Sequence, residues 1–291
     1  MQRATALQAL VVHLRLPFQL LLAPVFLWGW LLSGGGWNAG LGVAFVAFHV
    51  CLYGGATAFN SYYDRDVGPV GGLARPPPAT SALLPWSVGV QALGWLAATL
   101  AQPLLFWVYG GFVVLSVAYS HPRLRLKARP IGSLVVVGLG QGVLAFLGAW
   151  AANRGELASA WSTDGLVGAL AAALVVVGLY PLTQLFQIEE DRARGDRTLA
   201  VAWGPRLSFA VSLAGLLLGG LALSLLLLSR FGVLDGLLIG LGLSLEVAAV
   251  LAWARTFDPR QIMRNYRHVM RLNATCAGAL SAYFVLRLLK P

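Results

Sequence analysis

Two short acidic segments of the sequence each follow a row of polar side chains at helical spacing. The first row ends in Asp64 and the second passes through Asp191, and both run through otherwise apolar sequence. Polar residues that recur every three or four positions share one face of a helix. Such a face within apolar sequence usually lines a cavity or a path instead of contacting lipid. The first row is His49, Tyr53, Thr57, Asn60 and Asp64, and the second is Tyr180, Thr183 or Gln184, Gln187, Asp191 and Arg194.

Each row contains an amide and a carboxylate four residues apart, Asn60 with Asp64 and Gln187 with Asp191. Two facing oxygen-rich helix ends suit Mg²⁺, which proteins hold through one or two carboxylates together with phosphate oxygens of a substrate. Helix capping and ordinary loop solvation are the alternative explanation. Capping accounts for Asp64 but not for the row behind it, so we favour a metal site.

A basic segment runs from Tyr119 to Arg129 and contains Arg123, Arg125 and Lys127. Arginine can hold a diphosphate through bidentate hydrogen bonds, and lysine can do so as a point charge. A topology signal that contacts anionic lipid explains the same residues. Beside two acidic segments, the two interpretations have about equal weight.

Glycine marks two further segments. The connection from Asn60 to Ser81 is long and rich in Gly and Pro, which is typical of a lid or a binding loop. The GxxxG pattern from Gly138 to Gly142 follows no strand, so it predicts close helix packing instead of a nucleotide site.

Glu246 lies near the centre of another apolar run. An ionisable residue at such a position is a functional candidate by default, which makes an ion-coupled transporter a competing interpretation. A protonated or hydrogen-bonded carboxyl group packed against a neighbouring helix explains it equally well. Cys51 and Cys276 also lie in apolar runs, and their spacing matches no metal or disulfide motif, which indicates packing.

The elements that position these residues must suit a lipid bilayer. The chain has 291 residues, of which 58% are hydrophobic and 11% charged, and its mean hydropathy is +0.74, outside the range of soluble globular proteins. Continuous apolar runs of about 20 residues cross a bilayer as helices, and they lack the alternation of a β-barrel. We therefore predict a single all-α membrane domain, residues 1–291, with about nine transmembrane helices near 10–32, 39–59, 82–101, 103–120, 131–152, 165–187, 207–228, 233–254 and 267–289.

The basic residues predict the orientation of these helices. With nine spans and a cytoplasmic N-terminus, only Arg154, Arg230, Arg287 and Lys290 fall on the far side of the membrane. This asymmetry is typical of the positive-inside rule and supports an odd number of spans. Both acidic segments and the basic segment then face the cytoplasm. The net charge of +10 has the same explanation and gives no support to nucleic-acid binding.

Over nearly its whole length the chain resembles the UbiA superfamily of intramembrane prenyltransferases. The first aspartate motif of that family, NDxxDxxxD, corresponds to the stretch from Asn60 to Gly68, where Asn60 and Asp64 match while Ser61 and Gly68 replace two aspartates. The second motif, DxxxD, corresponds to Gln187 through Asp191, of which only Asp191 matches. Further similar features are Leu14-Arg15-Leu16-Pro17 near the start and Tyr119-Ser120 before the basic segment, with Arg123 at the spacing of a family lysine.

The resemblance implies a helical bundle around a central cavity, in which Mg²⁺ bridges the two motifs and a prenyl diphosphate. It implies Asp64 and Asp191 as principal metal ligands, with Asn60 and Gln187 as supporting amide ligands. Three acidic residues are candidates for the missing carboxylates: Asp66, Glu190 and Asp196. Asp66 can replace a missing carboxylate only if the helix has ended before it, because residues two positions apart on a helix, such as Asp64 and Asp66, point to different faces. The implied diphosphate contacts are Arg123, Lys127, Arg197 and Asn60, and Tyr119 joins Asp64 and Asp191 as an implied catalytic residue.

The implied activity is transfer of a prenyl group from its diphosphate to an aromatic or other lipophilic acceptor, in the cytoplasmic membrane and with Mg²⁺ as cofactor. A non-catalytic protein of the same fold that binds or moves an isoprenoid is the alternative. The sequence leaves the acceptor, the prenyl chain length and the oligomeric state open.

Overall fold

The computed structural model describes residues 6–289, so Arg3 and Lys290 lie outside the described residues. Within that range eight helices are long and apolar enough to cross a membrane, and a shorter apolar helix of 16 residues stands between two of them. The predicted polytopic helical protein is confirmed, while the count of nine spans stays a prediction because the 16-residue helix is short for a bilayer. The helices are α1 Leu7–Leu32, α2 Ala39–Asp64, α3 Leu83–Ala101, α4 Leu105–Ser120, α5 Pro130–Arg154, α6 Thr163–Gln184, α7 Ile188–Arg194, α8 Gly204–Phe231, α9 Val233–Arg255 and α10 Ile262–Leu289.

The first helix is interrupted near its start. Arg15 adopts a left-handed backbone conformation (φ 51°), and Pro17 lies in the first turn of the next helical segment, Leu16–Gln19, where its missing N–H costs nothing. The side-chain amide of Gln19 donates a 2.7 Å hydrogen bond to the carbonyl oxygen of Leu14, which the break leaves without a helical partner. The interruption buries the Arg15 side chain inside the bundle.

The second helix carries the first polar row and continues to Asp64, five residues beyond its predicted end at residue 59. A π-helical segment, Ala47–Leu52, lies within it, and the ring of His49 in this segment stacks on Phe45 with centroids 4.0 Å apart. His49 is therefore packed among aromatic rings. The other four members of the row line the central cavity.

Glycine allows the central helices to approach closely. A Cβ added to Gly215 on α8 would lie 2.7 Å from the Cα of Gly178 on α6, and one added to Gly142 on α5 would overlap the backbone of Ala173. The close packing predicted at the GxxxG pattern is thus confirmed at Gly142. Small residues bring helix backbones together in membranes, where burial of apolar surface does not drive association.

Ion pairs join the helix ends farthest from the acidic segments. Arg230 at the end of α8 pairs with Asp164 at the start of α6, and Arg287 near the end of α10 pairs with Asp235 at the start of α9. The hydroxyl of Tyr283 donates a 2.7 Å hydrogen bond to Asp235. These pairs bring together ends that the predicted topology places on one side of the membrane.

Candidate active site

A cavity of about 290 Å³ opens among α1, α2, α4, α5, α6, α8 and α10. Its walls are mostly apolar, with aromatic side chains such as Trp28, Phe112 and Phe284. The charged side chains that line it all come from the segments around the two predicted motifs, the break in α1 and the basic segment. We call this charged region the polar end; its lining charges are Arg15, Asp64, Asp66, Lys127, Asp191, Arg194 and Asp196.

Asp64 is held at the polar end by the geometry at the end of α2. Arg65 takes a left-handed conformation (φ 51°) and stops the helix directly after Asp64. The carboxylate of Asp64 pairs with the ammonium group of Lys127 and lies 3.3 Å from Arg125. Because the helix has ended, the Asp66 side chain lines the cavity. The helix thus ends before Asp66, as its use in place of a missing motif carboxylate requires.

Arg194, on α7, connects three aspartates from the two motif regions. Its guanidinium group pairs with Asp66, lies 2.7 Å from Asp191 and lies 3.2 Å from Asp196. Arg125 makes a bidentate contact with Asp196 at 2.6 and 2.8 Å. Bidentate arginine–carboxylate contacts fix orientation as well as charge. The two motif regions are therefore tied together by arginine from the second motif and from the basic segment.

Burial and charge set the ionisation of these aspartates in different directions. Burial raises the pKa of Asp191 to about 6, even though Arg194 favours its charged form. Burial and the neighbouring Asp64 carboxylate also raise the pKa of Asp66. Burial opposes the ionisation of Asp196 too, but its hydrogen bond from Arg125 and the nearby cations outweigh burial and lower its pKa. The polar end thus holds one firmly ionised carboxylate beside two that bind a proton more readily.

The other residues implied as ligands or catalytic groups lie at or beside the polar end. Asn60 donates a 3.2 Å hydrogen bond to the hydroxyl of Ser120, and both residues line the cavity. The hydroxyl groups of Tyr119 and Tyr180 are 2.9 Å apart in the cavity wall. Gln187 also lines the cavity, but α6 ends at Gln184, so Gln187 is the residue that precedes α7 and not part of one continuous helix.

Two residues implied as diphosphate contacts lie elsewhere. Arg123 and Arg197 are exposed and do not line the cavity. The arginines that contact the aspartates of the polar end are instead Arg125 and Arg194. In the basic segment the reason is a left-handed turn at Arg125 (φ 42°), which directs its side chain toward Asp196. The diphosphate role of Arg123 and Arg197 has no support from this geometry, whereas Lys127 lines the cavity as expected.

Sequence reasoning missed Arg15 as a site residue. It is 7% exposed, lines the cavity, and donates hydrogen bonds of 2.7 Å to Ser61 and 3.2 Å to the carbonyl oxygen of Gly71. No ion pair with a carboxylate is formed by Arg15 within the described residues. An arginine within an apolar run was the available signal, since such a residue is costly in a membrane unless it has a function.

Glu246, the candidate for ion coupling, does not line the cavity. It is buried on α9, and one of its carboxyl oxygens has no hydrogen-bond partner among residues 6–289. Its position separates it from the polar end.

The donor chemistry of the polar end suits a metal that arrives with its substrate. Across residues 6–289, no three His, Cys, Asp or Glu side chains form a ready-made metal cage. The available donors are carboxylates already paired with Arg or Lys, with the amide groups of Asn60 and Gln187 beside them. One or two carboxylates completed by phosphate oxygens is the coordination that Mg²⁺ accepts.

Comparison with known proteins gives a consistent result. Residues 22–274 match the sequence profile of the UbiA prenyltransferase family. A protoheme IX farnesyltransferase of Aeropyrum pernix is 27% identical, with 91% of this chain and 89% of that protein covered. A chloroplastic chlorophyll synthase of Oryza sativa is 28% identical, over 53% of this chain and 43% of that protein.

Among solved structures, a UbiA homologue from Archaeoglobus fulgidus bound to DMAPP and Mg²⁺ superposes with a TM-score of 0.65 at 17% identity. The alignment covers 94% of this chain and 99% of that one, so the two share a fold. Since the family profile extends over most of the sequence and the bundle matches a solved member, this chain belongs to the UbiA prenyltransferase family.

Proposed function

We propose that this chain transfers a prenyl group from a prenyl diphosphate to a lipophilic acceptor, with Mg²⁺ bound at the polar end. One observation carries the proposal: both aspartate motifs, the basic segment and Arg15 converge at the polar end of an otherwise apolar cavity inside a membrane bundle. A prenyl diphosphate has a matching form, since a highly charged head is joined to a hydrocarbon chain. Relatives named for farnesyl transfer and a homologue solved with DMAPP support this substrate class.

The charge balance of the polar end supports a metal cofactor. Arg125 lies outside the cavity lining but contacts Asp64 and Asp196, and with it the four carboxylates of the polar end are matched by four cations when all are ionised. A diphosphate carries several negative charges, and its burial in a balanced site would leave them uncompensated. A divalent cation that enters with it supplies the missing positive charge.

Asp64 and Asp191 would hold Mg²⁺, with Asn60 and Gln187 as amide donors and Asp196 and Asp66 within the same network. Bound there, Mg²⁺ stabilises negative charge that develops on the leaving diphosphate. With the carboxylates engaged in that way, Lys127, Arg125 and Arg194 would be free to donate hydrogen bonds to phosphate oxygens. Arg15 needs no such exchange, because it forms no carboxylate pair within residues 6–289.

The reaction begins when the bond between the allylic carbon and the diphosphate oxygen breaks and both electrons leave with the diphosphate. The positive charge then lies on the prenyl group, beside the Tyr119–Tyr180 pair and the ring of Phe112 in the cavity wall. Aromatic faces attract cations, and the apolar walls limit access of water to the cation. An electron pair of the acceptor forms the new bond, and the acceptor loses a proton.

The cavity supports a lipophilic acceptor. Every charged side chain in its described lining belongs to the polar end, so the remaining walls offer no partner for a charged acceptor. One relative is named as a protoheme IX farnesyltransferase and another as a chlorophyll synthase, which fits an apolar chamber that takes different lipophilic molecules. We place the polar end on the cytoplasmic side of the cytoplasmic membrane, as the distribution of Lys and Arg predicts.

The test incubates purified protein with prenyl diphosphates of several lengths, candidate acceptors and Mg²⁺, and measures prenylated product by mass spectrometry and released diphosphate. Asp64→Asn and Asp191→Asn should each abolish product. Asp258→Asn is the matched control, because the hydrogen bonds given for the Asp258 carboxylate come from Arg260 and Gln261 in the same turn, away from the cavity lining. Unchanged turnover in the double variant Asp64→Asn/Asp191→Asn would exclude the metal role. Metal-independent binding of an uncharged isoprenoid, without diphosphate release, would favour a non-catalytic protein.

A further inference from the structure

We infer that Glu190 is a positioning residue that clamps the loop after α2 onto α7, in space that Gly68 leaves open. One oxygen of the Glu190 carboxylate accepts a 2.8 Å hydrogen bond from the backbone N–H of Val67. The other accepts one of 3.2 Å from the N–H of Gly68. The next residue along α7 is Asp191, so the clamp joins the segment after one motif aspartate to the helix that carries the other.

Gly68 is required by this close approach and not by its backbone conformation. A Cβ at this position would lie 2.6 Å from the carboxylate oxygen Oε2 of Glu190. Its φ angle lies outside the left-handed region, where an added side chain would itself cause strain. Any side chain at position 68 must therefore displace the Glu190 carboxylate from the two amides.

This geometry changes the role expected for Glu190 from the sequence. The first motif has Gly68 where the family pattern has its last aspartate, and Glu190 was a candidate to replace a missing metal ligand. Both of its carboxylate oxygens instead face backbone amides, and Glu190 does not line the cavity. It acts through the loop and not on the metal or the substrate.

The clamped loop closes the polar end. Beyond Gly68 it places Val70 and Gly71 in the cavity lining, and the carbonyl oxygen of Gly71 accepts a hydrogen bond from Arg15. The N–H of Gly72 lies 3.4 Å from the sulfur of Met270 on α10. Glu190 anchors the first part of the loop while these contacts anchor the second. Loss of the clamp should loosen the cover over bound diphosphate, a consequence that rests on the proposed function, whereas the clamp itself does not.

The first experiment measures the clamp without substrate. Hydrogen exchange of the peptide that spans residues 65–72 is followed in detergent for the wild type, Glu190→Ala and Glu189→Gln. Glu189 is the matched control, since it is the adjacent residue of α7 and forms an exposed pair with Arg192. We expect faster exchange in Glu190→Ala alone. Equal exchange in all three proteins would overturn the inference, whatever the activity of the protein.

The second experiment measures kinetics in a double-mutant cycle of Gly68→Ala and Glu190→Ala. Each single change should raise KM for prenyl diphosphate about tenfold with little change in kcat, because two hydrogen bonds to a charged group are lost. The double variant should be no worse than either single one, since the methyl group then has no carboxylate to displace. Glu190→Gln should have a KM between those of the wild type and Glu190→Ala, because the glutamine side chain keeps one acceptor oxygen. Fully additive effects in the cycle, or a loss confined to kcat, would contradict the inference.

Discussion

Replacement of Lys127 by methionine tests whether cations of the polar end occupy the place of a metal ion. Lys127 is 7% exposed and pairs with Asp64, which is 8% exposed. Removal of one partner from a buried ion pair costs about 3–5 kcal/mol, because the other charge stays buried. Arg125 remains 3.3 Å from Asp64, so we expect the lower part of that range. At about 2–4 °C per kcal/mol, Tm should fall by about 6–12 °C.

Mg²⁺ should reverse part of this loss. In Lys127→Met the Asp64 carboxylate no longer has its closest competing cation, so added Mg²⁺ should bind with less competition. A ligand at 100 times its Kd stabilises the folded protein by about 2.7 kcal/mol. Thermal unfolding in detergent across an Mg²⁺ titration should therefore show a larger rise in Tm for the variant than for the wild type. KM for prenyl diphosphate should nevertheless increase at least tenfold, because the phosphate contact that we propose for Lys127 is lost.

Two further proteins separate stability from catalysis. The double variant Asp64→Asn/Lys127→Met removes both charges, so it should recover most of the lost Tm while it stays inactive. Arg129→Met changes an exposed residue of the same basic segment and should match the wild type in both assays. An equal Tm response to Mg²⁺ in the wild type and in Lys127→Met would refute the exchange of lysine for metal.

Three other predictions follow from buried carboxyl groups. Because the pKa of Asp191 is raised to about 6, the folded protein holds this proton more tightly than the unfolded chain. Without Mg²⁺, Tm should therefore decrease as pH rises through 6. With Mg²⁺ present, turnover should increase over the same pH interval, and a higher Mg²⁺ concentration should shift this increase in turnover to lower pH. Glu246→Gln should keep kcat/KM within about twofold, since Glu246 does not line the cavity; a large loss would show that Glu246 affects the site. Transport in vesicles that disappears in Glu246→Gln but survives loss of Asp64 would favour the transporter. Asp235→Asn leaves Arg287 without its charge partner, so it should lower the free energy of unfolding by about 1–3 kcal/mol and Tm with it, while KM stays unchanged. A change in KM would show that this pair is coupled to the distant polar end.

The helices and most of the first polar row could be predicted because both are local properties of the sequence, whereas the second row continues past the end of α6 at Gln184. Apolar length alone identifies segments that cross a bilayer, and a period of three to four residues places Tyr53, Thr57, Asn60 and Asp64 on one helix face. The structure confirms that these four side chains line the cavity. The π-helical segment around His49 has no comparable local signal, and it separates the first member of the row from the rest.

The hydrogen bonds and ion pairs of the polar end could not be predicted, because they depend on three turns with unusual backbone geometry. The described residues contain three non-glycine residues with positive φ, and all three are arginines beside the polar end: Arg15, Arg65 and Arg125. Arginine has no special preference for this conformation, so its sequence context gives no warning. Backbone strain of this kind costs about 1–3 kcal/mol per residue and persists where surrounding contacts offset it. Charge-assisted contacts of Arg15 and Arg125 provide such compensation.

The same contacts explain how a degenerate pair of motifs can still build an organised site. Ser61 stands where the family pattern has aspartate, and its hydroxyl accepts a 2.7 Å hydrogen bond from Arg15. Gly68 stands at another aspartate position, and its N–H contacts Glu190. At both positions a carboxylate of the pattern is exchanged for a contact between two parts of the chain. Fewer carboxylates leave fewer negative charges for a metal to neutralise. The contacts that replace them hold the loop and the helix ends together without a metal. On the proposed function, the retained Asp64 and Asp191 would suffice as charged donors, because phosphate oxygens of the substrate would complete the coordination that Mg²⁺ requires.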